Sequence, residues 1–305
     1  MSRVLVVGDM MLDHYTHVST LRNSEESSRT PVFDHVRDDY RLGGAANVAA
    51  NVKAMSPETE VHIAGICSSR HVISQLDSLG IHRERVMGQE TMVKRRFIAD
   101  EQMVFRYDNM IAFSDGDRSF FSLMMNYWET EFDAVIFSDY DKGTLGPDIV
   151  SVFRRCAPLL VVDSKRRDLR LFSGMTVLKV NENEAAVQAS SRDYDNYVSL
   201  FEAVVVTRGE RGADVIMSSR VSDDVQRPSA DHVIGRYSNR TEHFPTIPRI
   251  QKDVTGCGDT HTAALTLELL RSRDIRKAVT FANTAAGDVV EKFGTSLPNR
   301  LCLEV

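Results

Sequence analysis

The chain has 305 residues, 42% hydrophobic and 26% charged, a balance that buries a large core and excludes a disordered or fibrous chain. Forty-three acidic against 37 basic residues leave a formal net charge of −6, so no global positive field is available for nucleic acid or an anionic membrane. No apolar run approaches the roughly 18 residues a membrane helix needs. The four cysteines (Cys67, Cys156, Cys257, Cys302) are scattered without a CxxC pair, so neither a disulfide framework nor a zinc site is expected, and a reducing cytoplasm is the expected location.

Met1–Asp9 holds a short apolar run that ends in an acid, with no small-residue cleavage site, and Val4–Gly8 within it reads as a first strand, not part of a signal peptide. Residues 13–40 read as polar and irregular, closing in a strand-like Thr30–Val36. Gly43–Met55 reads as a helix, Val61–Gly65 as a strand and His71–Leu79 as a short helix. Residues 91–107 alternate apolar and polar side chains, the period of half-exposed antiparallel strands. Ala134–Ser138, Leu159–Asp163, Val177–Val180 and Ala203–Thr207 are apolar throughout and read as buried strands. Helices are expected near Gly146–Cys156, Glu182–Ser190, Cys257–Arg271 and Asp274–Lys292.

This alternation predicts an α/β fold, a mostly parallel sheet flanked by helices in one domain over residues 1–305. Segments 13–40 and 91–107 would form one small β layer against it, or a surface hairpin with no task. Residues 218–250 are polar, contain three prolines and read as a long mobile loop.

Chemistry concentrates in Asp253-Val254-Thr255-Gly256-Cys257-Gly258-Asp259-Thr260, just ahead of an apolar helix. Two glycines let the backbone turn tightly, and the helix start adds unpaired amides and the positive dipole end, which suits phosphate. An acid at that place makes sense if Asp259 faces an attacking hydroxyl while the amides hold charge on a phosphoryl group. The plainer reading is an N-cap and a common turn. Neither a Walker P-loop nor a dinucleotide fingerprint is present.

Asn181 and Glu184, three apart after a strand, suit a hydrated magnesium ion or a helix cap. Val206-Thr207-Arg208-Gly209-Glu210-Arg211-Gly212 puts a glycine-bearing turn at a strand end, where α/β proteins bind ligands. Gly43-Gly44-Ala45-Ala46-Asn47 opens a helix with exposed backbone and an amide one turn in, or simply packs small residues closely.

Taken in order, Val7-Gly8-Asp9 with Leu12-Asp13, Gly43-Gly44-Ala45-Ala46-Asn47, Asn181-x-x-Glu184, Val206-Thr207-Arg208-Gly209 and Asp253-x-Thr255-Gly256-x-Gly258-Asp259 resemble the ribokinase-like (phosphofructokinase-B type) carbohydrate kinases over nearly the whole chain. Within them the resemblance runs to the heptose 7-phosphate kinases of ADP-heptose synthesis, through Ser138-Asp139-Tyr140-x-Lys142-Gly143, Phe281-Ala282-Asn283-x-Ala285-Ala286-Gly287 and Gly294-Thr295-Ser296. Many of those are fused to a nucleotidyltransferase, and only the kinase half is expected here.

The resemblance implies a ribokinase-like core with a small β-sheet lid that often serves as a dimer surface, and transfer of the ATP γ-phosphate to a sugar hydroxyl. Asp259 would be the base, with Gly256, Cys257 and Gly258 as the anion hole. Asn181 and Glu184 would organise Mg²⁺ and the ATP phosphates, the metal through water, while Thr207, Gly209, Gly212 and Asn283 line the nucleotide pocket. Asp13, Gly43, Gly44 and Asn47 would hold the sugar, and Lys94, Arg96 and Arg106 on the β layer are candidates for a substrate phosphate. A monovalent cation such as K⁺ would sit near Asp253 and Thr255. Expected partners are a small sugar or sugar phosphate and a second copy of the chain through the lid, with no nucleic acid and no membrane.

Departures from the family pattern are Cys257 in place of alanine, which opens sensitivity to oxidation or alkylation, and Val180 in place of proline. Residues 218–250 are longer than usual, and residues 22–32 follow the heptose-kinase pattern only loosely. A kinase for another sugar, sugar phosphate or nucleoside, and a sugar- or nucleotide-binding regulator on the same fold, are the alternatives.

Overall fold

The computed structural model describes residues 1–26, 30–87, 90–109, 111, 131–189, 199–217, 241–247 and 249–299. Its centre is a nine-stranded sheet. The strands are β1 (Arg3–Gly8), β4 (Glu60–Ile66), β5 (His82–Met87), β8 (Ala134–Asp139), β9 (Leu159–Ser164), β10 (Met175–Asn181), β11 (Phe201–Thr207), β12 (Ala213–Met217) and β13 (Thr241–Phe244). They lie in the order β13-β12-β11-β10-β9-β8-β1-β4-β5. From β5 to β11 every pairing is parallel; β12 and β13 add an antiparallel edge.

The side-chain period of two sorts the core. Val4, Val6, Ile63, Ile136, Val161 and Val205 face one helix layer, made by α1 (Ala45–Met55), α5 (Cys257–Ser272) and α6 (Ile275–Val290). Leu5, Val7, Val135, Phe137, Val162 and Val204 face the other layer, where α3 (Pro147–Phe153) contributes Ile149, Val150 and Phe153. Burial of each such side chain contributes about 1.5–3 kcal/mol, and it is the two-sided cover that makes these strands apolar on both faces. Two further helices, α2 (Arg70–Ser78) and α4 (Glu182–Ala189), complete the described helical set.

A second sheet holds β2 (Met10–Asn23), β3 (Pro31–Gly44), β6 (Met92–Ala99) and β7 (Gln102–Asn109) in the order β3-β2-β6-β7. It grows directly from the core: β2 follows one residue after β1, and β3 runs straight into α1. Gly44 makes that junction, because a side chain there would meet the Asp9 carbonyl oxygen at 2.2 Å and the backbone has φ +58°.

Three expectations are corrected here. Residues 13–40 are not irregular: they belong to two 14-residue strands paired over most of their length. Their polarity hid the period because β3 is exposed or half-buried along most of its length, so no apolar face marks it. Gly43 and Gly44 end this strand and do not begin the helix. The predicted loop 218–250 contains β13, whose Thr241-Glu242-His243-Phe244 pairs with β12; residues 218–240 and 248 lie outside the described residues.

Candidate active site

The crevice outside the carboxyl ends of a parallel sheet, at the strand where connections leave in opposite directions, is where α/β folds bind ligands. Here that strand is β1, between β4 and β8. Asp9, just beyond its end, is fully buried and accepts the amides of Tyr140 (2.7 Å), Lys142 (3.2 Å) and Thr144 (3.2 Å). One carboxylate thus folds the loop after β8 and fixes Tyr140.

Facing that loop is the start of α5. Gly256 is its N-cap in the left-handed region (φ +84°), and a side chain there would press on Asn47 and Thr295. The Cys257 amide turns back onto the Val254 carbonyl at 3.2 Å, so the amides left open at the helix start are the next two, Gly258 and Asp259, which have no intrahelical acceptor. Cys257 therefore contributes its place in the turn and no free N–H, a correction to its expected part in the anion hole. Its thiol is pushed up to about 12, chiefly by burial, with Asp253 and Asp259 adding to it. A thiol pKa raised in this way leaves little of the reactive thiolate at neutral pH, which opposes the sensitivity expected of it.

Asp259, in the first turn, is 5% exposed. Its Oδ2 accepts from Asn47 Nδ2 and its Oδ1 from the Tyr140 hydroxyl, each at 2.8 Å. Asn47 is itself oriented: Asn51 Nδ2 donates to its Oδ1 (3.1 Å) and backbone oxygen (2.8 Å), while Thr260 Oγ1 donates to Asn51 Oδ1 at 2.7 Å. The carboxyl pKa is raised above the ordinary aspartate value. Burial is the main cause and Asp163 adds to it, opposed by the Asn47 and Tyr140 hydrogen bonds and by Lys179.

Lys179, on β10, was not legible as a site residue. Its ammonium is buried and donates to Asp163 Oδ2 at 2.9 Å, and Thr262 Oγ1 donates to the same oxygen at 2.8 Å. A side chain on Gly258 would lie 3.0 Å from that ammonium, so a fixed positive charge sits directly under the anion-binding turn. Burial alone would discharge it; the charges of Asp163 and Glu184 hold its pKa above the ordinary lysine value.

Asn181 and Glu184 do meet, as a reciprocal cap: the Asn181 amide donates to Glu184 Oε2 (2.8 Å) and the Glu184 amide to Asn181 Oδ1 (2.9 Å). This leaves Glu184 Oε1 outside the cap, one carboxylate oxygen for a magnesium ion that keeps most of its waters. Among the described residues no group of three or more His, Cys, Asp or Glu could hold a metal directly. At the monovalent-cation candidate, Asp253 Oδ1 accepts from the Thr255 amide and hydroxyl (2.9 and 2.7 Å) and Oδ2 from the Gly294 amide (2.9 Å). That donor set is engaged within the loop and does not call for K⁺.

A cavity of roughly 200 Å³ opens beside the α5 start, lined by Thr207, Gly209, Gly212, Gly258, His261 and Asn283. The structure thus gathers the four residues expected around a nucleotide. It adds His261, whose buried Nδ1 has no hydrogen-bond partner among the described residues and whose pKa falls to about 3, mainly through burial. A glycine-lined hollow lets a nucleotide approach the backbone closely. A larger groove of about 970 Å³, walled by Met55, Leu267, Arg271 and Phe281, lies toward the far ends of α1 and α5.

On the lid side, Asp13 (4% exposed) accepts from Arg96 Nη1 at 2.6 Å, and a side chain on Gly43 would meet Asp13 Oδ2 at 2.9 Å. Arg106 is exposed and forks onto Asp108, with Nε 2.7 Å from Oδ1. Neither guanidinium is therefore the free cation expected for a substrate phosphate, since each is neutralised by its own carboxylate. Lys94 alone of the three forms no ion pair among the described residues; its ammonium lies 4.8 Å from the Tyr140 ring centre.

The family model for pfkB carbohydrate kinases matches residues 1–301. The chain belongs to the pfkB family of carbohydrate kinases. It is 31% identical over 314 residues to the bifunctional protein HldE of Alcanivorax borkumensis, covering 97% of this chain and 61% of that protein. With the bifunctional protein HldE of Methylococcus capsulatus it is 32% identical over 315 residues, at 97% and 62% coverage. The pfkB chain thus spans about three fifths of the curated relatives it matches. Among solved structures, Thermotoga maritima ribokinase superposes with TM-score 0.75 at 16% identity, covering 100% of this chain and 98% of that one. Escherichia coli phosphofructokinase-2 in complex with potassium gives 0.74 at 15%, covering 100% and 97%. These likenesses establish a ribokinase-like fold with a separate small sheet, and family membership makes the protein a phosphotransferase acting on a sugar hydroxyl.

Proposed function

We propose that this pfkB kinase transfers the γ-phosphate of ATP to a sugar held between the lid and the sheet, with D-glycero-D-manno-heptose 7-phosphate as acceptor at its anomeric hydroxyl. The observation that carries the reaction is the placement of Asp259 at the first turn of α5, next to open helix amides. The acceptor identity rests on the HldE relatives and on the sequence motifs shared with heptose kinases.

In this reading Asp13, Gly43, Gly44 and Asn47 present the sugar. An acceptor hydroxyl reaches Asp259 by taking over the place of the Tyr140 hydroxyl on Oδ1. Phosphoryl transfer has a loose transition state, so positioning and charge stabilisation do most of the work. As the new O–P bond forms and the bond from the γ-phosphorus to the bridging oxygen breaks, the acceptor proton passes to Asp259 and ADP leaves. The Gly258 and Asp259 amides and the helix dipole stabilise charge on the moving group. Glu184, with Asn181 through water, would hold Mg²⁺, which would supply further neutralisation of the phosphates. Closure of the four-stranded lid excludes water, the competing acceptor. The exposed Met103, Phe105 and Tyr107 on β7 support pairing of two lids in a homodimer, which sedimentation equilibrium tests directly.

The test is mass spectrometry of products after incubation with ATP, Mg²⁺ and a mixture of sugars and sugar phosphates. A heptose bisphosphate is the expected product. Phosphorylation of a different sugar or a nucleoside removes the heptose assignment, and nucleotide binding with no transfer to any acceptor removes the kinase reading.

A further inference from the structure

Asn51 is a polar side chain in an apolar place. It lies on α1 one turn beyond Asn47, is fully buried, and lines neither the nucleotide cavity nor the larger groove. Its helix neighbours Val48, Ala49, Ala50 and Val52 all belong to the core. Asparagine is a poor helix former, and a buried amide costs stability unless its polar atoms are paired. Both of its polar atoms are paired here. Nδ2 donates to the Asn47 carbonyl at 2.8 Å and to Asn47 Oδ1 at 3.1 Å, and Oδ1 accepts from the Thr260 hydroxyl at 2.7 Å.

These bonds remove an ambiguity. A side-chain amide has nearly the same shape either way round, but one end donates and the other only accepts. Asn51 cannot turn over, because the Asn47 carbonyl takes only a donor and Thr260 supplies a proton to the Asn51 oxygen. It therefore presents N–H to Asn47 Oδ1, and Asn47 in turn points Nδ2 at Asp259 Oδ2, 2.8 Å away. Reversed, Asn47 would set its oxygen against a carboxylate oxygen with no proton between them, which favours protonating the acid. Burial pushes the Asp259 pKa up, and the Asn47 hydrogen bond is foremost among the contacts that pull it back.

We propose that Asn51 is a positioning residue, which fixes the donor end of the Asn47 amide on Asp259 and so keeps that carboxylate ionised. The inference deepens the proposed kinase mechanism and rests on it for the role of Asp259 as base. The charged and titratable groups facing Asp259 are Asp163 on β9, Lys179 on β10, Tyr140 after β8, Lys94 on lid strand β6 and Cys257 on α5 itself. Asn51 bonds to none of these, so its removal acts on Asp259 through Asn47.

The test reads the carboxyl itself, by NMR titration of the whole protein isotope-labelled at aspartate side-chain carboxyls. The Asp259 signal is assigned by its loss in Asp259→Asn. In Asn51→Leu the midpoint is expected to rise by about half a pH unit or more, with the acid limb of kcat/KM moving the same way. In an Asn47→Ala background the same substitution should move neither. Asn51→Ala, which cannot overpack the helix contact, serves where the leucine variant does not fold and should give the same pattern. An unmoved midpoint in a folded Asn51 variant overturns the proposal. A rise that persists undiminished in the Asn47→Ala background overturns it too, because Asn51 would then act through helix packing. A rise that depends on Asn47, in a protein whose Asp259→Asn variant keeps its turnover, supports the positioning role and defeats the base assignment alone.

Discussion

The hydroxyl of Tyr140 donates to Oδ1 of Asp259 across 2.8 Å, opposite the Asn47 amide on Oδ2, so a buried carboxylate is held by two donors from two different elements. Both donors favour the ionised form, and burial opposes it. A base of raised pKa is lost as pH falls through that pKa, so the acid limb of kcat/KM should lie above the ordinary aspartate value near 3.8. Removing either donor takes away a hydrogen bond that lowers the pKa. Tyr140→Phe and Asn47→Ala should therefore each move the limb to higher pH, read from pH–rate profiles; a shift to lower pH contradicts this account.

Asp259→Asn keeps the shape and both hydrogen-bonding neighbours but cannot accept the proton. Turnover should fall by at least about a hundredfold, in line with general-base contributions, while the thermal midpoint stays within a few degrees. A variant retaining more than a tenth of the wild-type rate removes the assignment.

Lys179→Met leaves Asp163 buried without its counter-charge, and breaking such a pair costs about 3–5 kcal/mol. The double variant Lys179→Met/Asp163→Asn should recover most of that stability in urea unfolding, because no lone charge remains. Its turnover should stay low, since the fixed charge below Gly258 is gone. Full recovery of turnover along with stability would make the lysine a structural counter-ion only.

His261 is buried and neutral, with its pKa depressed to about 3. The unfolded chain takes up a proton near the ordinary 6.5 that the folded chain refuses, so the native state is penalised as pH falls from about 6.5 toward 3. The full effect is about 1.4 kcal/mol per pH unit from this one group. His261→Leu should flatten the stability profile in that window, measured by urea unfolding at several pH values. An unchanged slope means the imidazole is protonated in the fold.

Cys257 should resist alkylation in the folded protein, because its thiol is pushed up to about 12 and little thiolate exists at neutral pH. Iodoacetamide labelling followed by peptide mass spectrometry is expected to modify residue 257 much faster in urea than in buffer. Equal rates in the two conditions would refute the burial of this thiol.

The sequence by itself determined the parallel core, because strands covered on both faces must be apolar throughout, as Val4–Val7 and Val204–Val206 are. It also determined the glycine turn at the start of α5, since Gly256, Gly258 and Asp259 are close together in the chain and a helix start needs only local residues to form. Asn181 and Glu184 were legible as a pair for the same reason. Only the tertiary structure decided what surrounds Asp259. Tyr140, Asn47 and Lys179 reach it from 119, 212 and 80 positions away in the chain, through an Asp9-pinned loop, a helix and a neighbouring strand. It likewise decided which cations are free. Arg96 and Arg106 look like Lys94 in the sequence, and pairing in space with Asp13 and Asp108 is what removes them from the count. Charge neutralisation depends on distances that the order of residues does not carry.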